Sequence, residues 1–162
     1  MNTLAEHPEE FRYLILALQR QGGRQLNAKL SELGVTSSQA EAIEIVGAHG
    51  PMSTREVGEY LICESGSPSR LLATLAAKGL TVASQSNQDK RATLHALTRA
   101  GRETLQDIKE LNNNFQAQLA EILNQADENH PDDALSQLVS LLVDPELSSA
   151  MKRRYPHLFE KL

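Results

Sequence analysis

The apolar pattern of this chain changes its period between residues 53 and 98, and this change limits the folds open to it. Two stretches with helical spacing, 53–61 and 68–78, precede two short stretches, 80–86 and 92–98, that are partly alternating and rich in β-branched or apolar residues. Spacings of three and four residues indicate helices, whereas alternation indicates strands. The polar segment 87–91 lies between the two strand-like stretches. The order therefore predicts helix, tight turn, helix and β-hairpin.

Local signals place the ends of these elements. Ser53 and Glu56 have the spacing of a capping box, in which each residue bonds the other's backbone N–H. Ser67 precedes Pro68, a favoured first helical residue, and Gly79 closes the second helix. Thr98 is expected to cap a long helix whose apolar residues recur at steps of three and four as far as Ile122.

The flanking sequence is also helical in pattern. We predict two N-terminal helices over 8–21 and 25–33, separated by Gly22-Gly23, and a third over about 37–48. After the long helix, Asp132 is expected to cap a further helix, and Pro145 to start a short one through Met151. The fold class is therefore mainly α with a small β-hairpin.

Charge is distributed unevenly along the chain. Residues 50–102 carry seven Lys or Arg against four Asp or Glu, a net charge of +3, whereas the remainder carries −8 and the whole chain −5. A positive lobe can contact phosphates within an acidic protein, and the acidic remainder limits indiscriminate binding. The imbalance by itself is weak evidence, because such values arise often by chance.

The sequence gives little support to several other classes of protein. The start of the chain has no basic and apolar signal pattern, no apolar run approaches the roughly 20 residues of a membrane span, and we expect a cytoplasmic protein. The single cysteine, Cys63, cannot form an internal disulfide. The five histidines lack metal-ligand spacing and no catalytic motif is present, so we expect no enzyme, no cofactor and no metal.

The element order suggests a chemistry. A helix that follows a tight turn can enter the major groove of a DNA duplex, and a basic hairpin tip can reach the minor groove. Here the second helix begins with small polar residues and Arg70, which can bond either guanine or phosphate. An isolated cluster of this kind is also a common turn with a surface arginine; the order of all the elements favours a binding surface.

The chain resembles the MarR family of bacterial regulators. The resemblance covers roughly residues 33–108 and includes VTSSQAEAIEIV (35–46), STREVGEYL (53–61) and GSPSRLLATLAAKGL (66–80). The hairpin tip NQDKR (87–91), followed by Leu97-Thr98 and Gly101, matches the family pattern most specifically.

The resemblance implies a winged helix-turn-helix within a homodimer held by N- and C-terminal helices, which reads a pseudo-palindromic double-stranded operator. It implies that helix 65–79 enters the major groove and that the wing 87–91 enters the minor groove through Arg91, braced by Asp89. The candidate DNA-binding residues are Ser53, Thr54, Arg55, Ser65, Ser67, Ser69, Arg70, Thr74, Lys90 and Arg91. Apolar stripes at 11–18, 105–122 and 135–142 also favour dimerisation.

We therefore divide the chain into dimerisation helices (1–34), a DNA-binding lobe (35–100) and a long helix with C-terminal dimerisation helices (101–162). Segment 144–162 departs from the family outline and is expected to extend or cover the dimer interface. The leading hypothesis is a repressor that a small-molecule effector releases from DNA. The alternatives are a regulator that acts by occupancy or through oxidation of Cys63, and a winged helix reused as a protein-interaction module.

Overall fold

The computed structural model describes residues 8–63, 66–87, 92–126 and 145–154, together with Pro156 and Phe159. Six helices and three strands lie in these ranges. In chain order they are α1 (Pro8–Glu32), α2 (Ser37–His49), β1 (Met52–Ser53), α3 (Thr54–Gly58), α4 (Pro68–Ala77), β2 (Thr81–Gln85), β3 (Thr93–Leu97), α5 (Arg99–Ala126) and α6 (Pro145–Arg154). Within them, no helix combines the length and apolar character needed to cross a bilayer.

The N-terminal region is one helix, so the predicted break at Gly22-Gly23 is wrong. Glycine in a helix costs about 1 kcal/mol relative to alanine, which packing can offset. A Cβ on Gly22 would lie 3.5 Å from Cζ of Phe115, an ordinary contact distance, so α1 lies against α5 at this point. The predicted stripe at 11–18 is not tested, because the side chains of Phe11, Leu14 and Leu18 lie outside the described part.

The core lies where α2, α4 and the first half of α5 meet. Its largest fully buried side chains are contributed by five helices and include Ile43, Val57, Leu72, Leu75 and Ile108. Burying an aliphatic side chain of this size stabilises a fold by about 1.5–3 kcal/mol. Helix α4 contributes Leu71, Leu72 and Leu75 to this core, whereas Ala76 on the same helix is exposed.

The predicted β-hairpin is present, and a third strand joins it. Strands β2 and β3 pair antiparallel with Thr81 opposite Leu97, and β1 pairs with the other edge of β3 with Met52 opposite His95. The sheet order is β1-β3-β2. The sequence did not indicate β1, because a two-residue strand is too short to show a period.

Thr98 connects the wing, α4 and α5. Its hydroxyl donates to the carbonyl of Gly79 (2.6 Å) and accepts from the N–H of Gly101 (3.0 Å), as the predicted N-cap requires. Gly79 has a φ of 72°, a backbone conformation that favours glycine at the end of a helix. A Cβ on Gly101 would lie 1.9 Å from the Leu80 carbonyl oxygen. This close approach explains the glycine of the motif in physical terms.

The C-terminal prediction is confirmed in part. The helix predicted from Pro145 begins there and continues to Arg154, three residues beyond Met151. The helix predicted from Asp132, with Leu135, Leu138 and Leu142, lies outside the described residues.

Candidate DNA-binding surface

Helix α3 begins with the predicted capping box. The Ser53 hydroxyl accepts from the N–H of Glu56 (3.2 Å), and the Glu56 carboxylate accepts from the N–H and the hydroxyl of Ser53, each at 2.7 Å. These bonds from Ser53, the backbone one foremost, lower the pKa of Glu56. The side chain of Ser53 is therefore engaged in fixing the helix start, which limits it as a DNA contact.

Helix α4 presents a polar edge to solvent near its start. Ser67, Ser69 and Arg70 are all exposed. Ser67 has the extended backbone of an N-cap, but its side chain makes no capping hydrogen bond. Its hydroxyl is therefore not committed to the helix cap. One turn on, the Thr74 hydroxyl donates to the Arg70 carbonyl (2.9 Å), so it retains only acceptor capacity for a base.

Arg70 differs from the other described cations of this region. Arg55 pairs with Glu59 (3.4 Å) and Arg99 with Glu103 (3.0 Å), both at exposed positions where an ion pair contributes little. Among the described cations of residues 50–102, only the Arg70 guanidinium makes no hydrogen bond or ion pair with a described residue, so no such contact must break before it binds a phosphate or a base.

Lys78 has a structural role that the net charge of residues 50–102 does not show. Its ammonium donates to the Gly34 carbonyl and to Oε1 of Gln39, each at 2.7 Å. Lys78 thus anchors the end of α4 to the start of α2. Arg102 likewise donates to the Leu97 carbonyl (2.9 Å). The net charge of +3 therefore overstates the cations available to DNA.

Thr54 connects helix α3 to the wing. Its Oγ1 lies 3.0 Å from Nε2 of His95, a residue of β3 that is buried. Burial lowers the pKa of His95, which keeps the ring neutral at pH 7, and its Nδ1 has no hydrogen-bond partner in the described part of the chain. His95 therefore has a structural role in the wing. Thr54 is occupied by it and is only half-exposed.

The turn before α4 is held by a buried carboxylate. Glu41, which is only 4% exposed, accepts hydrogen bonds from the N–H groups of Ile62 (3.0 Å) and Cys63 (2.8 Å). The Ser38 hydroxyl donates to the Cys63 carbonyl (3.0 Å). The sequence did not indicate Glu41, because a single glutamate on a helix carries no signal of burial.

The surroundings of Cys63 keep its thiol protonated. Burial, followed by the charge of Glu41, raises the pKa of Cys63. A thiol is a weak nucleophile compared with its thiolate. This environment disfavours the redox hypothesis.

The remaining candidates are not tested by the geometry. Ser65 in the turn, and Asp89, Lys90 and Arg91 at the tip of the wing, lie outside the described residues. Strands β2 and β3 converge toward that tip, with Ser86 N–H bonding the Ala92 carbonyl (3.0 Å). Among the described residues, no three His, Cys, Asp or Glu side chains come together as metal ligands would.

Comparison with known proteins bears on the fold of the chain. Residues 35–101 match the family described as a winged helix DNA-binding domain. A MarR-like transcription regulator from Bacillus cereus ATCC 10987 superposes with a TM-score of 0.75 at 18% identity, over 83% of this chain and 97% of that one. The chain has the winged-helix fold of the MarR-like transcription regulators. The predicted fold class and the resemblance to the MarR family are thereby confirmed.

Two further proteins are similar to this chain. The organic hydroperoxide resistance transcriptional regulator of Bacillus subtilis (strain 168) is 28% identical over 89 residues, or 55% of this chain. That match spans 60% of the length of the curated relative. The MepR protein of S. aureus, crystallised with DNA, has a TM-score of 0.71 at 19% identity, over 82% of this chain and 95% of that one. The proteins that this chain is similar to are transcriptional regulators.

Proposed function

We propose that this protein is a homodimeric transcriptional regulator that binds a pseudo-palindromic DNA operator. The observation that carries the proposal is the exposed start of α4, within a lobe that matches a winged helix DNA-binding domain. There the Arg70 guanidinium has no partner among the described residues, and the Ser67 hydroxyl is not used as a cap. Helix α4 would enter the major groove, and the wing would place Arg91 in the adjacent minor groove. In this scheme Asp89 braces the wing and Ser65, Ser69, Thr74 and Lys90 complete the contacts.

The described contacts assign different weights to the candidate residues. Arg70 and Ser67 are the side chains that we expect to contact DNA directly. Ser53 and Thr54 act mainly by fixing α3 and the wing, while Arg55 must exchange an exposed ion pair for a phosphate. Such an exchange costs little, because exposed pairs are worth about 0–1 kcal/mol.

DNA binding is tested by selecting bound fragments from genomic DNA and then measuring affinity for the selected duplex. Replacement of Arg70 by alanine is expected to weaken binding by roughly fivefold to 150-fold if Arg70 bonds guanine, since a lost bidentate guanine contact costs about 1–3 kcal/mol. Arg99→Ala is the matched control, because Arg99 is exposed but paired with Glu103. Equal affinity of wild type and Arg70→Ala would remove Arg70 from the DNA contacts, and selection of no duplex by wild type would favour the protein-interaction alternative.

The same titration distinguishes the two roles left open for Arg70. A phosphate contact reduces the slope of log affinity against log salt by about 1, and does so on every sequence. A guanine contact instead relaxes the preference at one base pair. Arg91→Ala tests the wing in the same assay, with loss of affinity expected.

The proposal of a homodimer is supported by apolar side chains that one chain leaves exposed. Ile15 on α1 is 41% exposed and Leu119 on α5 is 45% exposed. Large apolar side chains on helices that flank a reading lobe are typical of an interface between subunits. In this proposal 1–34 and 101–162 form the dimerisation region around the lobe 35–100. Leu119→Glu is expected to shift the mass in light scattering toward a monomer; an unchanged dimer would place the interface elsewhere.

Repression relieved by a small molecule is the regulatory scheme that we propose for this dimer. A groove of about 950 Å³ lies between α1 and α5. Its lining includes the apolar side chains of Leu26, Leu33 and Phe115 and the charged side chains of Lys29 and Asp107. Small-molecule sites combine apolar walls with polar groups that orient the ligand, and this groove offers both kinds of side chain. A metabolite library screened for release of the operator tests the scheme. A Phe115→Ala variant that responds unchanged would separate the effector from this groove.

A further inference from the structure

Helix α6 brings two adjacent arginines onto the turn that precedes the recognition helix α4. Arg154 Nη1 lies 2.5 Å from Oε1 of Glu41, and Arg153 Nη1 donates to the Glu59 carbonyl at 2.8 Å. Glu41 lies on α2, and Glu59 follows the last residue of α3. The contacts join residues 94 and 113 positions apart, and neither the sequence pattern nor the family resemblance predicts them.

The Glu41 carboxylate links α6 to the turn. It accepts from the N–H groups of Ile62 and Cys63 on one side and from Arg154 on the other, while the side chain of Glu41 is only 4% exposed. An ionised carboxylate removed from water is costly unless it is paired and hydrogen-bonded. The guanidinium, itself one quarter exposed, supplies the positive charge. Arg154 therefore offsets the cost of burying the Glu41 carboxylate that accepts from the two amides.

Arg153 contacts the other side of the same turn. Its guanidinium caps the carbonyl of Glu59 at the end of α3 and lies 4.0 Å from the Glu59 carboxylate. Ala150, one turn earlier on α6, is 3% exposed, so the helix is seated by apolar contact as well as by charge. The segment between α3 and α4 is thus held at residue 59 by Arg153, and at residues 62 and 63 by Glu41 with Arg154.

We infer that α6 positions the recognition helix, and that Arg154 and Arg153 are positioning residues for DNA binding. Neither needs to touch DNA. They act by fixing the turn, which sets the orientation of Ser67 and Arg70 at the start of α4. This inference rests on the proposed function for its effect on DNA, but not for its effect on the turn. Any event that draws α6 away removes the cation that offsets burial of the Glu41 carboxylate, and so weakens its hold on the two amides.

The test compares Arg154→Gln with Lys152→Gln in the full chain. Both variants remove one positive charge from α6. The Lys152 side chain is exposed and makes no hydrogen bond or ion pair with a described residue, so Lys152→Gln controls for net charge. Hydrogen exchange is measured at the Ile62 and Cys63 amides. In Arg154→Gln we expect roughly tenfold faster exchange at these two amides, with the Leu72 and Ile108 amides unchanged. Lys152→Gln should behave as wild type.

DNA affinity supplies the second readout. Arg154→Gln is expected to weaken binding of the selected duplex by about fivefold to tenfold without changing the salt slope, because no phosphate contact is lost. A Glu41→Gln, Arg154→Gln double variant should lose less than the two single losses combined, because both act through one contact.

The outcomes distinguish the two proposals. If exchange at Ile62 and Cys63 is the same in Arg154→Gln as in wild type, α6 does not hold the turn and the inference fails, whatever the DNA assay shows. If exchange rises but wild type binds no duplex, the proposed function fails and the turn assignment stands. A reduced salt slope, or a loss of affinity that matches the unfolded fraction measured by circular dichroism, would overturn the positioning role.

Discussion

Gly101 provides a test of how the lobe 35–100 is joined to the long helix α5. It lies in the first turn of α5, and a Cβ there would lie 1.9 Å from the Leu80 carbonyl oxygen, whereas such contacts essentially never fall under 3.0 Å. In Gly101→Ala the two backbones must therefore separate by about 1.1 Å. The Leu80 carbonyl also accepts from the N–H of Thr98 (3.1 Å) and from its hydroxyl (3.2 Å), so this movement weakens both hydrogen bonds.

The magnitude follows from opposing contributions. Overpacking costs about 1–3 kcal/mol, and two weakened hydrogen bonds cost about 1–2 kcal/mol. The better helix propensity of alanine returns about 1 kcal/mol. The free energy of unfolding should therefore fall by about 1–4 kcal/mol.

Gly23→Ala is the matched control. Gly23 also lies inside a helix, but a Cβ there would meet no heavy atom within 4 Å. The same substitution should raise the free energy of unfolding by about 0.5–1 kcal/mol. Urea denaturation followed by circular dichroism measures both variants at equal protomer concentration, since dimerisation shifts apparent stability. A Gly101→Ala protein as stable as Gly23→Ala would refute the close approach.

Three further predictions follow from the lobe. Ser53→Ala removes the cap of α3 and should cost about 0.5–2 kcal/mol in urea denaturation. In a carbon-detected NMR titration it should also raise the pKa of Glu56 part of the way toward its ordinary value, because the side-chain bond from Ser53 is lost while the larger contribution, from the Ser53 backbone N–H, remains. An unmoved Glu56 titration would contradict the bonding. Burial lowers the pKa of His95 below its ordinary 6.5, so the unfolded state binds the proton first and stability should fall as the pH drops below about 6.5. His95→Gln should flatten that fall, and an equally steep fall in the variant would assign it to other groups. Leu72→Ala leaves a cavity at a fully buried site of α4 and should cost about 2–5 kcal/mol in the same assay; a loss below 1 kcal/mol would mean that the core rearranges to fill it.

Elements with strong local signals could be predicted from the sequence. The capping box at Ser53, the first-turn proline at Pro68 and the cap at Thr98 each depend on residues three or fewer positions apart, and the structure contains all three starts. The break at Gly22-Gly23 was predicted wrongly for the same reason. Local propensity favours an interruption there, but the approach of Phe115 on α5 stabilises a continuous helix.

The candidate site was predicted less completely than the fold. Sequence order located the polar start of α4, but it treated Lys78 as an available cation and Thr54 as a free hydroxyl. Lys78 is bound to Gly34 and Gln39, and Thr54 contacts His95. These partners lie about 40 positions away along the chain. No spacing rule reports such pairs, because the rules describe neighbours within one helix turn or one strand pair.

The sequence by itself determined the helix, turn, helix and hairpin order between residues 53 and 98 and the starts of α3, α4 and α5, because propensity and capping act between near neighbours. Only the tertiary structure decided which polar groups on the candidate DNA-binding surface are free. Arg70 lacks a described partner, while Ser53 and Thr54 are engaged. It also decided that Arg153 and Arg154 lie against the turn of Glu41. The physical reason is that a charged group or hydroxyl is held by the protein atoms that replace water as its hydrogen-bond partners. These atoms come from distant parts of the chain.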